Sequence, residues 1–152
     1  MLDKHESYAA AKRLLEGKRR ILVSGHLSPD GDALGSMIAL TQLLRCAGYE
    51  AFATADLNAL GKPGFLEGVG DLIPIRQLKR QKKFDLFIAV DCASFARMPP
   101  EVRPVAEKLP KICVDHHVTN DGSFAIRQTI SPVEDAVGST IDTSAKEPSF
   151  VT

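Results

Sequence analysis

The feature that most constrains the fold is an apolar run at 84–90 (FDLFIAV) that ends directly in Asp91. A nearly continuous run of this kind is typical of a strand buried on both faces, as in a parallel sheet covered by helices. The run at 21–25 and the run Lys111–Val114 have the same character. Because helical segments separate these runs, we expect an α/β fold with a mainly parallel sheet and helices on both faces.

The helical segments are predicted from apolar residues that recur at helical spacing. A first helix at 8–16 ends at Gly17, and a long second helix begins near Ala33 and ends before Gly48. The second has a wide apolar face that comprises Leu34, Met37, Ile38, Leu40, Leu43, Leu44 and Ala47. Between the long helix and the central strand, we predict a strand at 50–54, loops with one short helical turn at 57–75 and a basic exposed segment at 76–83. After the central strand, we predict a weaker helix at 99–108 and an edge strand at 124–130.

The bulk composition predicts one globular domain and excludes several classes of protein. The 152 residues include 19 Lys plus Arg and 19 Asp plus Glu, so no overall basic field indicates a nucleic-acid binder. No signal peptide and no membrane-spanning run is present, which predicts a cytoplasmic protein without membrane contact. Cys46, Cys92 and Cys113 lie in apolar runs, and we interpret them as buried thiols in a reducing compartment.

Three polar clusters follow three of the predicted strands, where parallel α/β sheets bind their ligands. The clusters are His26 with Asp30 and Asp32, then Asp91, then Asp115 with His116 and His117. Carboxylates this close repel each other unless a cation lies between them. Nitrogen and oxygen ligands suit Mn²⁺, Mg²⁺ or Co²⁺, so the set predicts a site for two divalent ions that hydrolyses phosphate esters.

Each cluster taken alone also has a purely structural interpretation. Asp32 is the expected N-cap of the second helix, with Asp30 as a solvated turn residue. Asp91 could likewise cap a following helix, and a pair of histidines at a surface is more often without function. Their coincidence at one edge of the sheet favours the metal site.

The pattern His26-x3-Asp30-x-Asp32, then Asp91, then Asp115-His116-His117 resembles the first three motifs of the DHH phosphoesterase superfamily. The sequences of 28–36 (SPDGDALGS) and 115–120 (DHHVTN) are most similar to those of the oligoribonuclease group, which also acts on 3′-phosphoadenosine-5′-phosphate. The resemblance implies an enzyme that hydrolyses short RNA or such nucleotides with two ions, Mn²⁺ foremost. A manganese-dependent pyrophosphatase and an inactive metal- or nucleotide-binding remnant are the alternatives.

The resemblance also implies a role for each motif residue. One ion would be bound by His26, Asp30 and Asp91, and the other by Asp32, Asp91 and His116. His117 would face the substrate phosphate, and Asp115 would orient a neighbouring histidine.

The family pattern includes a fourth metal-binding aspartate and a C-terminal substrate-binding domain, and neither is found in this sequence. We therefore expect a DHH catalytic core at 1–141 and an irregular tail at 142–152, the sign of a truncated chain. The basic residues Lys79, Arg80, Lys82 and Lys83 are interpreted as a solvated face, and Arg97 as a surface residue rather than a substrate contact. The sequence leaves homodimer formation open.

Overall fold

The computed structural model describes residues 4–56, 67–81, 83–117 and 129–130. Its helices and strands, in chain order, are α1 (Lys4–Leu15), β1 (Arg20–Ser24), α2 (Gly31–Cys46), β2 (Glu50–Ala55), β3 (Ile73–Pro74), β4 (Leu86–Val90), α3 (Arg103–Ala106), β5 (Lys111–Val114) and β6 (Thr129–Ile130). Within the described residues, three short 3₁₀ helices, Val69–Asp71, Ile75–Arg80 and Phe95–Arg97, lie in the connections.

The six strands form one parallel sheet in the order β3-β2-β1-β4-β5-β6. The chain moves outward from β1 to β3 and then returns to the other side of β1, so the direction of winding reverses between β1 and β4. Ser24 pairs with Ala89, and Val90 pairs with Val114, so the carboxyl ends of β1, β4 and β5 are adjacent. A crevice at such a reversal is where open α/β sheets bind ligands.

Both faces of the sheet are buried, which confirms the α/β prediction with helices on both faces. On one face, Ile21, Val23 and Ile88 pack in the core that includes Met37 of α2 and Ala11 of α1. On the other face, Leu22 and Phe87 pack in the core that includes Met98, Val102 and Ala106 around α3. All five residues of β4 are buried, as the apolar run predicts.

Several local predictions need correction. The helix predicted at 99–108 is confined to Arg103–Ala106, since the prolines at 99 and 100 favour turns in the preceding segment. The predicted loop at 57–75 contains the two-residue strand β3. The basic segment forms a 3₁₀ helix whose Leu78 is buried. Of the predicted edge strand, Thr129–Ile130 pairs with β5, and 124–128 lie outside the described residues.

The apolar face predicted for α2 is wider than the face that the sheet buries. Leu34, Met37 and Ile38 are buried, whereas Leu43 is 66% exposed. Cys92 and Cys113 are buried as predicted, but the prediction is wrong for Cys46, which is exposed near the end of α2. A helix contacts a sheet along one narrow stripe, so apolar residues beside that stripe remain in solvent.

Among the residues that the structure describes, no helix is long and apolar enough to cross a bilayer. The predicted boundary between 141 and 142 lies outside those residues.

Candidate metal centre

The loop after β1 depends on Gly25, which lies against the end of β4. A Cβ atom there would be 3.2 Å from the Val90 carbonyl oxygen and 3.3 Å from the Met37 sulphur. Any larger residue would therefore push the loop away from β4. The close approach positions His26, the next residue, above the end of β4, and its side chain is only 12% exposed.

Asp30 is the N-cap of α2, whereas the structural interpretation of the first cluster assigns that role to Asp32. Its Oδ1 accepts a hydrogen bond from the Ala33 N–H at 3.0 Å. This bond, together with the nearby charge of His26, lowers the pKa of Asp30 below its usual value. One oxygen of the carboxylate is used by the cap, which leaves the second oxygen for another ligand. The capping and metal-binding interpretations of Asp30 are therefore compatible.

Asp91 has two unusual properties at the end of β4. Its φ of 52° is in the left-handed region, and Asp91 is the only non-glycine residue with positive φ among those described. Its Oδ1 atom is buried and accepts no hydrogen bond from the described part of the chain. Left-handed backbone costs about 1–2 kcal/mol for an L-residue, and a buried acceptor without a partner is also unfavourable. Strain concentrated on one charged residue is a property of functional sites.

The segment after β5 presents its two histidines differently. Asp115 is 2% exposed, and its Oδ1 lies 2.7 Å from Nδ1 of His117. This hydrogen bond raises the pKa of His117 above its usual value. The ring of His116 packs edge-on against that of His117, with 4.8 Å between ring centroids, and its side chain is 54% exposed.

The three clusters meet around Asp91. Its Oδ2 is 3.6 Å from Nε2 of His26, and its Oδ1 is 3.3 Å from both Nε2 of His116 and Nδ1 of His117. Within the described ranges, two sets of three residues have ligand atoms that lie within 4.8 Å of one another. One set is His26, Asp30 and Asp91, and the other is Asp91, His116 and His117.

Asp32 belongs to neither set. Its side chain is 65% exposed, and its Oδ2 lies 3.8 Å from Nε2 of His116. Its Oδ1 accepts a weak hydrogen bond from the Ser36 hydroxyl at 3.4 Å. Ser36 was not predicted as a site residue, although residues four apart on a helix are neighbours and its position is readable from the sequence. Asp32 thus adjoins the second set through His116.

Comparisons with known proteins agree with this architecture. A comparison with curated protein sequences finds no match. Among solved structures, the chain is similar to the crystal structure of an exopolyphosphatase-related protein from Bacteroides fragilis, with 22% identity and a TM-score of 0.66. The match covers 84% of this chain and 38% of that protein, so the chain spans well under half of its length. The family model described as the DHH family, N-terminal domain, matches residues 20–146, which is most of the chain. By that match, the protein belongs to the DHH family, and its residues 20–146 correspond to the family's N-terminal domain.

Proposed function

We propose that the chain provides the catalytic centre of a two-metal phosphoesterase that hydrolyses short oligoribonucleotides or 3′-phosphoadenosine-5′-phosphate. The observation that carries the proposal is the environment of the buried Asp91 carboxylate. Nitrogen atoms of three histidines lie 3.3–3.6 Å from its oxygens, and Oδ1 accepts no hydrogen bond from the described residues. A divalent cation bound between the carboxylate and these ring nitrogens would satisfy both kinds of ligand.

The distances support shared ions rather than direct hydrogen bonds. Hydrogen bonds between nitrogen and oxygen are typically about 2.7–3.2 Å long. Two ligand atoms each about 2.1 Å from one ion lie roughly 3.0–4.2 Å apart, depending on the angle between them. The separation of 3.6 Å between His26 Nε2 and Asp91 Oδ2 falls in the second range. A donor set of imidazole and carboxylate favours Mn²⁺, with Mg²⁺ or Co²⁺ as alternatives.

The expected ligand sets follow the clusters. His26, Asp30 and Asp91 would bind one ion, and Asp32, Asp91 and His116 would bind the other. Asp91 would be common to both, which suits a carboxylate with both oxygens directed at histidines. When bound, the two ions would polarise the phosphate and acidify the attacking water.

His117 is better suited to contact the substrate than to bind an ion. Its Nδ1 is hydrogen-bonded to the buried carboxylate of Asp115, which leaves Nε2 for another partner. The nitrogen that lies 3.3 Å from Asp91 is this same Nδ1, and it is engaged by Asp115, so Nε2 is the atom of His117 that can reach a substrate. Asp115 therefore orients His117, and His117 would donate a hydrogen bond to a phosphate oxygen.

The N-terminus of α2 adds further stabilisation for an anion. Asp30 caps this helix beside the cluster, so the first turn of α2 is next to the expected ion positions. The partial positive charge of a helix N-terminus stabilises phosphate groups. The choice of oligoribonucleotides as substrates is supported by the sequences of the two motifs around Asp30 and Asp115, which resemble those of the oligoribonuclease group.

A metal-binding module without turnover is the second candidate. It is favoured by the position of Asp32, which is 65% exposed and whose contact with His116 is 3.8 Å. With Asp32 so placed, the second ion would be bound more weakly than the first. Calorimetry that finds one tight Mn²⁺ site and no hydrolysis would favour this candidate over the enzyme.

The proposed function is tested by incubating the 152-residue chain with Mn²⁺ and three substrates. These are a 5′-phosphorylated diadenylate, 3′-phosphoadenosine-5′-phosphate and inorganic pyrophosphate. We expect hydrolysis of the first two, its loss in Asp91→Ala, and normal rates in Asp71→Ala, an exposed aspartate far from the cluster. Faster turnover of pyrophosphate than of both nucleotides would instead assign a pyrophosphatase. Equal effects of the two substitutions would contradict the role of Asp91.

A further inference from the structure

Leu27 and Arg97 are joined by a backbone hydrogen bond beside the metal centre. The Leu27 N–H donates to the Arg97 carbonyl at 2.7 Å, which links the loop after β1 to the 3₁₀ helix after β4. Both residues are exposed, and Leu27 is 43% accessible. We call this pair the Leu27–Arg97 rim. It joins the backbone of an exposed apolar residue to that of an exposed cationic one, and Leu27 directly follows His26.

The backbone on both sides of Arg97 is held in place by Arg103. The guanidinium of Arg103 donates to the carbonyl of Ala96 and its Nε donates to the carbonyl of Met98, each at 2.9 Å. The Arg97 N–H itself donates to the Ser94 carbonyl at 3.2 Å. The rim is therefore a fixed part of the fold, and the side chain of Arg97 projects from an ordered turn.

Arg97 is exposed and differs from two other arginines in its ion pairing. Arg20 and Arg45 each pair with an acidic residue, whereas the ion pairs found within 4–56, 67–81 and 83–117 do not include Arg97. Arg97 thus adds an exposed positive charge on a turn that is hydrogen-bonded to the loop between His26 and Asp30.

Exposure of Leu27 is informative because of its position. Single exposed leucines are common on protein surfaces, and Leu43 is another in this chain. Leu27, however, lies in the loop between two expected metal ligands, His26 and Asp30, with its backbone fixed by Arg97. A ligand whose phosphate reaches the cluster would pass close to this side chain.

From this juxtaposition we propose that the Leu27–Arg97 rim binds the nucleoside end of a nucleotide substrate, with Arg97 contacting a phosphate next to the scissile one and Leu27 packing against the sugar or base. The proposal rests on the proposed function and deepens it. A guanidinium binds phosphate oxygens in a bidentate manner, and an aliphatic side chain gains only from an apolar surface. Inorganic pyrophosphate has no such surface, so the rim selects nucleotides over inorganic phosphates.

The test uses substitutions that keep the backbone hydrogen bond, since both of its atoms belong to the main chain. Arg97→Gln and Leu27→Ser are compared with Arg80→Gln and Leu43→Ser, which change the same residue types on exposed surfaces away from the cluster. The probe is a 5′-phosphorylated diadenylate with a phosphorothioate linkage. Its binding is measured by calorimetry with Mn²⁺ present, and the Kd for Mn²⁺ and the Tm are measured for every variant.

We expect Arg97→Gln to weaken diadenylate binding by about tenfold or more, the loss typical of one hydrogen bond to a charged group. Leu27→Ser should weaken it by roughly threefold to tenfold, in keeping with part of a leucine's burial energy. Neither control should change diadenylate affinity, and no variant should change Mn²⁺ affinity. In hydrolysis, Leu27→Ser should raise the KM for diadenylate, whereas Leu43→Ser should leave it unchanged.

Two results would overturn the proposal that the rim binds nucleotide. One is diadenylate affinity that falls equally in Arg97→Gln and Arg80→Gln, and the other is wild-type protein that binds no diadenylate. Failure of the proposed function has a different signature. If wild-type protein binds diadenylate but hydrolyses none of the substrates, the chain is not the proposed enzyme. The affinities of the variants for diadenylate then still show whether the rim binds the nucleotide.

Discussion

The two edges of the sheet use their charged residues in opposite ways. At the amino edge, Asp85 accepts hydrogen bonds from the N–H groups of Arg19 and Arg20, each at 2.9 Å. Arg20 pairs with Glu50 and lies over the Phe52 ring at 4.7 Å. Charges there have partners of opposite sign, although Nε of Arg20 is also buried without a hydrogen bond among the described residues. At the carboxyl edge, carboxylates converge on one point, and the buried Asp91 has strained backbone and an oxygen without a hydrogen bond.

This difference indicates which edge was selected for stability and which for chemistry. The amino edge lowers the energy of the folded chain with ordinary ion pairs and hydrogen bonds. The carboxyl edge retains unfavourable features that the proposed cations would relieve. Substitutions at the two edges should therefore separate stability from activity.

The largest expected effect is that of Asp91→Asn on metal binding and hydrolysis. Substitution of a residue that only hydrogen-bonds to a metal ligand typically lowers metal affinity or activity by about 10–100-fold. Asp91 is expected to bind both ions directly, so its substitution should lower both quantities by more than about 100-fold. The Tm without metal should stay the same or rise, because asparagine tolerates left-handed backbone and removes a buried charge. Calorimetry with Mn²⁺ and a thermal melt with chelator check both parts. A large fall in the Tm of the metal-free variant would show that Asp91 stabilises the fold, and it would contradict the proposed difference between the two edges.

The next largest effect is that of Gly25→Ala, which we compare with Gly35→Ala. The added Cβ at Gly25 meets the Val90 carbonyl at 3.2 Å, whereas nothing lies within 4 Å of a Cβ at Gly35. Overpacking of this kind costs about 1–3 kcal/mol of unfolding free energy and should also weaken Mn²⁺ binding by displacing His26. Gly35→Ala in α2 should instead stabilise the protein by roughly 0.5–1 kcal/mol. Urea unfolding of both variants measures the difference. Similar results for the two glycines would show that the approach of the loop to β4 is unimportant.

A smaller effect is expected from Asp85→Ala at the amino edge. The substitution removes two hydrogen bonds to backbone N–H groups that are partly exposed, so the unfolding free energy should fall by about 1–2 kcal/mol. Metal affinity and hydrolysis should not change, since Asp85 is at the opposite edge from the cluster. Asp71→Ala provides the control for a general effect of removing a surface aspartate. Reduced Mn²⁺ affinity in Asp85→Ala would mean that the edges are coupled.

The smallest expected effect is the pH dependence of the Asp85 contribution. The two backbone N–H groups lower the pKa of Asp85 below its usual value. A carboxyl whose pKa is lower in the folded state stabilises the protein above its unfolded pKa of about 3.9, and that contribution is lost as the pH falls further. The stability difference between wild type and Asp85→Ala should therefore be constant from pH 7 to about pH 5 and shrink below about pH 4. Unfolding in urea across this range checks the prediction, and a difference that grew in acid would have the wrong sign.

The sequence predicts much of the molecule because its strongest signals are local. The apolar run ending at Asp91 predicts a central buried strand, and the position of the polar clusters after strands places them at one edge of the sheet. These signals depend on the period and composition of short segments. They required no knowledge of distant contacts.

Features that depend on tertiary contacts could not be read in the same way. The structural interpretation of the first cluster makes Asp32 the N-cap, whereas Asp30 is the cap in the structure. The hydrogen bond between Leu27 and Arg97 joins residues 70 positions apart, and no pattern along the chain reveals it. The exposure of Leu43 and Cys46 likewise depends on how much of α2 the sheet covers.

The central claim is that Asp91 is shared by two divalent ions, and Mn²⁺ binding to wild type and Asp91→Asn tests it most directly. Equilibrium titration followed by electron paramagnetic resonance counts the bound ions and detects magnetic coupling between neighbours. We predict two ions per chain with a coupled signal in wild type, and at most one ion with no coupling in Asp91→Asn. The same number of ions in both proteins, or isolated ions in wild type, would contradict the shared role of Asp91.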